Sequence, residues 1–188
     1  SKEPASPFGI QNTLPGSVAC VDIEQDGFVD AAYFGDLKGR LWKIDLAGDG
    51  ASWAPAVIYR DPNMYPIITR PAVYVDAASS NTVHVYIGTG GDDLAPNTAQ
   101  YSFVALIDGL TETYVEWYLG PDALATQLGI SAQTKKGSLA AGEKIWADPV
   151  IANRNIFIAS LEGNIESLNP CSSTSGGGKI YARYILGN

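Results

Sequence analysis

The sequence predicts an all-β fold assembled from repeated small sheets, and three observations carry that expectation. Short runs of β-branched, aromatic and aliphatic residues, bounded by Gly, Pro, Asn and Asp, recur from one end of the chain to the other. The segment from Tyr33 to Asp45 lies without gaps over the segment from Phe157 to Asn169, and each copy reads as a strand, a tight turn at a glycine (Gly39, Gly163) and a second strand. A looser third copy runs through Arg70-Pro71-Ala72-Val73, Val85-Tyr86-Ile87-Gly88 and Ala105-Leu106-Ile107-Asp108. Spacings of roughly 50–70 residues are those of β-propeller blades with loop insertions. Blades are four-stranded sheets that normally close a ring of about four to eight. The expected fold is therefore a partial β-propeller of about three blades. Because an arc leaves its end blades open, the expectation includes a partner, the remainder of the propeller, supplied from outside these residues. A small closed sandwich of the same strands is the structural alternative.

Taken in order, Val18–Ile23 is the partner strand of the first copy, and Asp148–Ala152 that of the second. Ala72–Val75, Thr82–Ile87, Phe103–Ile107 and Asn155–Ala159 are the clearest strands. One stretch reads as a helix, Pro121–Leu128, with proline suited to a first turn and Gly129 to a stop. Length predicts one domain over residues 1–188, with a loop-rich insertion at about 109–142. Ser172–Gly178 is too small and polar to build a core and reads as a loop.

Composition narrows the function. Hydrophobic content of 46% with 17% charged residues describes a globular chain. A net charge of −8 with scattered Lys and Arg argues against nucleic acid as a partner. No apolar run is long enough for a membrane span, and no basic-then-apolar segment opens the sequence as a signal peptide would. Cys20 and Cys171 form no metal or redox motif. A disulfide between them would suit an exported protein, and two separate thiols fit the sequence equally well.

The most informative motif is Asp22-Ile23-Glu24-Gln25-Asp26-Gly27-Phe28-Val29-Asp30. Acidic side chains fall at loop positions one, three, five and nine around a glycine at six, which is the front of a calcium loop. Asp22, Glu24, Asp26 and Asp30 would give carboxylate oxygen and Phe28 its backbone carbonyl. Gly27 permits the sharp turn. Position three is the longer Glu24 and position twelve is Tyr33, so no bidentate glutamate closes the loop, and affinity falls accordingly. The flanks are β-prone, so the loop joins strands. Without a cation the same residues would form an acidic hairpin turn.

Other candidates are weaker. His84, the sole histidine, sits in a strand pattern with no nucleophile motif beside it. Gly88-Thr89-Gly90-Gly91-Asp92-Asp93 lacks the lysine and helix of a phosphate loop, and reads as a turn with room for a second, weaker cation. Asp45-Leu46-Ala47-Gly48-Asp49-Gly50 is an acidic turn with too few ligands in register. The tryptophans Trp42, Trp53, Trp117 and Trp146 are expected mainly between blades.

The run from Val18 to Leu46, joining the acidic loop to Gly35-Asp36-Leu37-Lys38-Gly39-Arg40-Leu41-Trp42-Lys43-Ile44-Asp45-Leu46, resembles the signature of the PilC/PilY family of type IV pilus adhesins. Thr69–Val73, Tyr86–Gly90, Gly142–Lys144, Ala147–Val150 and Asn169-Pro170-Cys171 agree with it. The lack of any nucleophile, base or cofactor constellation in the sequence gives the expectation of no enzyme activity. The resemblance implies the family's carboxy-terminal propeller and calcium on Asp22, Glu24, Asp26, Asp30 and the Phe28 carbonyl. It also implies pilus subunits or minor pilins and a host or surface receptor as partners, with an extracytoplasmic location at the pilus tip, cell surface or outer membrane. Two other classes use similar pieces: a quinone-dependent dehydrogenase propeller, and an integrin-like or lectin-like binding propeller.

Overall fold

A computed structural model describes residues 13–91, 98–109, 112–162 and 177–185. Among the described residues three sheets, antiparallel but for one edge strand, follow one another along the chain. Sheet A is a meander of β1 (Ala19–Val21), β2 (Ala31–Gly35), β3 (Arg40–Asp45) and β4 (Pro55–Arg60), paired in that order. Sheet B repeats the plan with β5 (Ala72–Asp76), β6 (Thr82–Gly88), β7 (Phe103–Asp108) and β8 (Thr113–Leu119), and β9 (Lys135–Gly137) adds a parallel fifth strand. In sheet C, β12 (Asn155–Glu162) is the spine, flanked on one side by β10 (Glu143–Ile145) and β11 (Val150–Ala152) and on the other by β13 (Gly178–Tyr184). Among the described residues one α-helix, α1 (Ala123–Leu128), ends at Gly129 in the left-handed conformation, as proline and glycine placement predicts.

Strand alternation builds the core between sheets. On β6, Val83, Val85 and Ile87 point to sheet A and meet Tyr33, Leu41 and Tyr59, with Leu124 of α1 closing the cluster. On its other face Tyr86 joins Phe103, Trp117 and Leu119 against Ile145, Ile156 and Ile158 of sheet C. Sheet B is thus covered on both faces, which explains its near-continuous burial. One strand of each sheet, β1, β5 and β11, faces a common crevice of about 350 Å³, lined by Cys20, Ala72, Val73 and Val150 among others. Successive sheets with these strands around one axis are propeller blades, and among the described residues the stack does not close. The chain is a partial β-propeller, not a small sandwich.

The joints between blades repeat as the strands do. Gly35 closes β2, and a Cβ there would meet Ile67 at 2.3 Å; Gly88 closes β6, and a Cβ there would meet Ile145 at 2.3 Å. The amide of Ile67 donates to Asp36 O at 3.0 Å and that of Ile145 to Thr89 O at 3.2 Å, in each case the residue after the glycine. Each glycine lets the segment leading into the next blade lie against the end of a second strand.

Two expectations need adjustment. The strand bonded to the free side of β12 is β13, where the repeat placed Ile165–Asn169; that segment, like most of the expected Ser172–Gly178 loop, lies outside the described residues, and Gly178 itself begins β13. The stretch 109–142 holds β8 as well as α1 and β9, and buries Trp117, Tyr118 and Leu119. A bulge hides β8 from a period-two reading: Ala105 faces Trp117 while Leu106 faces Val115, so Glu116 is the extra residue.

Candidate functional site

The acidic motif forms the connection between β1 and β2, and its backbone is wound around its own carboxylates. Asp22 accepts from the amides of Asp26 (3.2 Å) and Gly27 (2.8 Å). The Oδ2 of Asp30 accepts from Ile23 (2.5 Å) and Glu24 (3.1 Å), and Asp26 accepts from Phe28 (2.9 Å). Gln25 and Gly27 take positive φ, 60° and 94°, which lets the chain reverse twice within the loop. Asp22 and Asp30 are half-buried at the loop's base, while Glu24, Asp26 and Phe28 are exposed. Among the described residues no Lys or Arg forms an ion pair with any of the four carboxylates.

The donor set suits a hard cation such as calcium, since every candidate ligand is oxygen. As placed, the carboxylates serve the loop amides instead of one common point, and among the described residues no three acidic, His or Cys side chains converge as a metal site. Calcium binding would require them to turn inward while the loop keeps its winding.

A second set of carboxylates is buried. Asp36, at the β2–β3 turn, accepts from the amides of Lys38 (2.8 Å) and Arg40 (3.0 Å), from Arg40 Nε (2.6 Å) and from the Trp42 indole (2.9 Å). Burial pushes its carboxyl up, but the bonds from Trp42, Arg40 and Lys38 outweigh this and hold it below the usual Asp range. Glu143 on β10 accepts from Ser160 Oγ (2.5 Å), Tyr181 OH (2.6 Å), the Ala140 amide (2.7 Å) and Lys179 Nζ (3.0 Å), fastening β12 and β13 together. Its carboxyl is likewise held low against burial. Between blades, Asp108 of sheet B receives Tyr33 OH and Lys43 Nζ of sheet A, each at 2.7 Å. Asp61 differs: burial raises its carboxyl above the usual range despite amide bonds from Tyr65 and Asn63.

The remaining sequence candidates take structural places. His84 is buried in β6 with Nδ1 3.0 Å from Glu116, beside Tyr74 and Tyr86. Gly88, Gly90 and Gly91 are closely approached by Ile145, Tyr101 and Ile68, so this segment is an inter-blade joint; Asp92 and Asp93 lie outside the described residues. Asp45 and Asp49 cap their own turn at Ala47 and Ala51. Trp42 and Trp117 are buried, whereas Trp53 and Trp146 are partly exposed. Cys20 is exposed with no disulfide partner among the described residues, and Cys171 lies outside them. Sequence reasoning quoted Asp36 and Glu143 only inside longer motifs; the signal it left unused was an acidic residue directly after a strand-ending glycine or turn.

The class these features define is a propeller arc carrying an acidic loop between the first two strands of a blade. No family model matches the chain. Its sequence is 27% identical over 135 residues to the type IV pilus biogenesis factor PilY1 homolog of Xylella fastidiosa, covering 65% of this chain and 9% of that protein. Its fold matches the crystal structure of the Pseudomonas aeruginosa PilY1 C-terminal domain with a TM-score of 0.63, at 17% identity, over 91% of this chain and 47% of that one. The chain therefore spans under a tenth of the curated relative and just under half of the solved domain. In sequence the chain is thus similar to a stretch of a PilY1 homolog, and in fold to part of a PilY1 C-terminal domain.

Proposed function

We propose that this chain is a non-enzymatic, extracytoplasmic part of a type IV pilus biogenesis factor, in which the loop from Asp22 to Asp30 takes up calcium and so orders a surface that contacts pilus components. The observation that carries the pilus reading is the 27% identity over 135 residues to a protein named for pilus biogenesis. No helix among the described residues is long and apolar enough to cross a membrane.

Support for calcium comes from the loop's chemistry. Four carboxylates lie within nine residues, none neutralised by a described Lys or Arg, and wound around a positive-φ glycine. Asp22, Glu24, Asp26 and Asp30 would hold the ion with the Phe28 carbonyl, and the ion would relieve their mutual repulsion. Loss of calcium would loosen β1 and β2 locally. The trial replaces Asp26 and Asp30 by alanine in the full-length protein and counts surface pili and twitching motility. Reduced piliation or motility is expected. Wild-type behaviour despite demonstrated loss of calcium would defeat the regulatory reading, and dye-linked dehydrogenase activity in the purified protein would favour an enzyme instead.

A further inference from the structure

Twice this chain holds a cation in the same way, against an aromatic ring with a carboxylate beside it. The guanidinium of Arg40 lies 4.8 Å from the centre of the Trp42 ring while its Nε is 2.6 Å from Asp36. Lys43 Nζ lies 5.9 Å from the centre of the Tyr33 ring and 2.7 Å from Asp108. The same two parts recur without the cation at one end of sheet A. Antiparallel pairing brings the β1–β2 and β3–β4 connections together there. The Leu46 amide donates to Asp30 O at 2.8 Å and Leu46 O accepts from the Trp53 indole at 3.0 Å, which fastens one connection to the other. Phe28 is 74% exposed and Trp53 39%. Around them stand the exposed carboxylates Glu24, Asp26, Asp45 and Asp49; among the described residues no Lys or Arg forms an ion pair with any of these or lies over either ring. Bases gather at the opposite end instead: Lys38 and Arg40 at the β2–β3 turn, Arg60 closing β4, Lys135 and Lys136 on β9, and Lys179 at the start of β13.

We infer that this end of sheet A is a docking surface for an arginine-bearing segment of a partner protein, whose side chains lie on Trp53 and Phe28 and pair with the carboxylates beside them, as Arg40 lies on Trp42 and pairs with Asp36. Charge complementarity selects that occupant. An anionic partner is repelled by the unpaired carboxylates, and a wholly apolar one would bury them without a counter-charge. The planar guanidinium meets a ring face and a carboxylate at once, which suits it better than the point charge of lysine. The inference rests neither on the pilus reading nor on calcium: Asp45, Asp49 and Trp53 lie outside the loop from Asp22 to Asp30 and offer both parts whether or not that loop holds an ion.

The experiment measures, by fluorescence anisotropy, the binding of a labelled peptide of alternating arginine and serine to the natural full-length polypeptide, with saturating calcium and again with calcium chelated. A peptide carrying citrulline in place of arginine is the uncharged control. Asp45→Asn combined with Asp49→Asn removes charge but keeps an oxygen for the Ala47 and Ala51 amides. The arginine peptide is expected to bind in both conditions, more weakly as salt rises, and the citrulline peptide not to bind. The asparagine pair should weaken binding about three-fold or more, and Trp53→Ala about two- to five-fold, with Trp53→Phe recovering part of the loss. Asp122→Asn, at the opposite end, should change nothing. Should Trp53→Ala fail to fold, the asparagine pair still decides the matter. Equal binding of the citrulline peptide, or arginine binding that the asparagine pair leaves intact, would overturn the inference. So would an equal loss in Asp122→Asn, which would mark an effect of net charge alone.

Discussion

The loop at Asp22–Asp30 and the buried carboxylates Asp36 and Glu143 use the same bond in opposite settings. Both gather backbone N–H groups around an acidic side chain. In the loop, all the donors come from the loop's own amides, the group is exposed or half-buried, and no described cation joins it. Asp36 and Glu143 add to nearby turn amides side-chain donors from neighbouring strands, including Arg40, Trp42, Lys179 and Tyr181, and are themselves fully buried. The loop carboxylates are left without a cationic partner among the described residues, whereas Asp36 and Glu143 are tied to Arg40 and Lys179 and fasten strands together.

The comparison is broken most forcefully at Glu143. Glu143→Ala removes the acceptor shared by Ser160, Tyr181, Lys179 and the Ala140 amide, and should cost about 3 kcal/mol in chemical denaturation. A loss no larger than that of a loop variant would show that burial does not separate the two groups. Next come the glycine joints that set the blades against each other. Gly35→Ala or Gly88→Ala forces a Cβ onto Ile67 or Ile145 and should lower stability by about 1–3 kcal/mol. Truncating the facing isoleucine to alanine in the same chain should recover part of the Gly→Ala loss, which a double-mutant cycle reads directly. Smaller still, Tyr33→Phe deletes one bond to Asp108 between blades and should cost about 1 kcal/mol.

Acid separates the buried carboxylates from one another. Asp36 and Glu143 are held below their ordinary ranges, so their contribution is complete above those ranges and is lost as pH falls through the lowered values. Asp61 is raised, so its contribution is present at low pH and lost as pH rises through its folded value. Asp61→Asn, which keeps an oxygen for the Asn63 and Tyr65 amides, should therefore be neutral or stabilising at pH 7, whereas Asp36→Asn should destabilise. Melting curves at pH 7 and in mild acid check both signs.

Much of this was legible in the sequence because it depends on local pattern. The strands at Ala72, Thr82, Phe103 and Asn155 announced themselves by β-branched runs, α1 by its proline and glycine, and the acidic loop by spacing around Gly27. The buried anchors were harder to see. The partners of Asp108 lie 75 residues away at Tyr33 and in a different blade, and Tyr181 reaches Glu143 across 38 residues, separations that no window of local pattern spans. β8 was obscured by one bulged residue, Glu116, which resets the alternation. The place of β13 beside β12 was hidden for a different reason: the repeat pointed to a nearer segment.

The central claim is that the exposed loop is the functional group of carboxylates and answers to calcium. Hydrogen exchange of the parent and Asp30→Ala proteins, without calcium and at millimolar calcium with a magnesium control, tests it most directly. The account predicts that calcium slows exchange from Ile23 through Val29 and at the adjoining ends of β1 and β2, that magnesium does much less, and that Asp30→Ala abolishes the effect while the strands around Asp36 and Glu143 exchange as before. Equal exchange in the loop with and without calcium, or protection that survives Asp30→Ala, would contradict it.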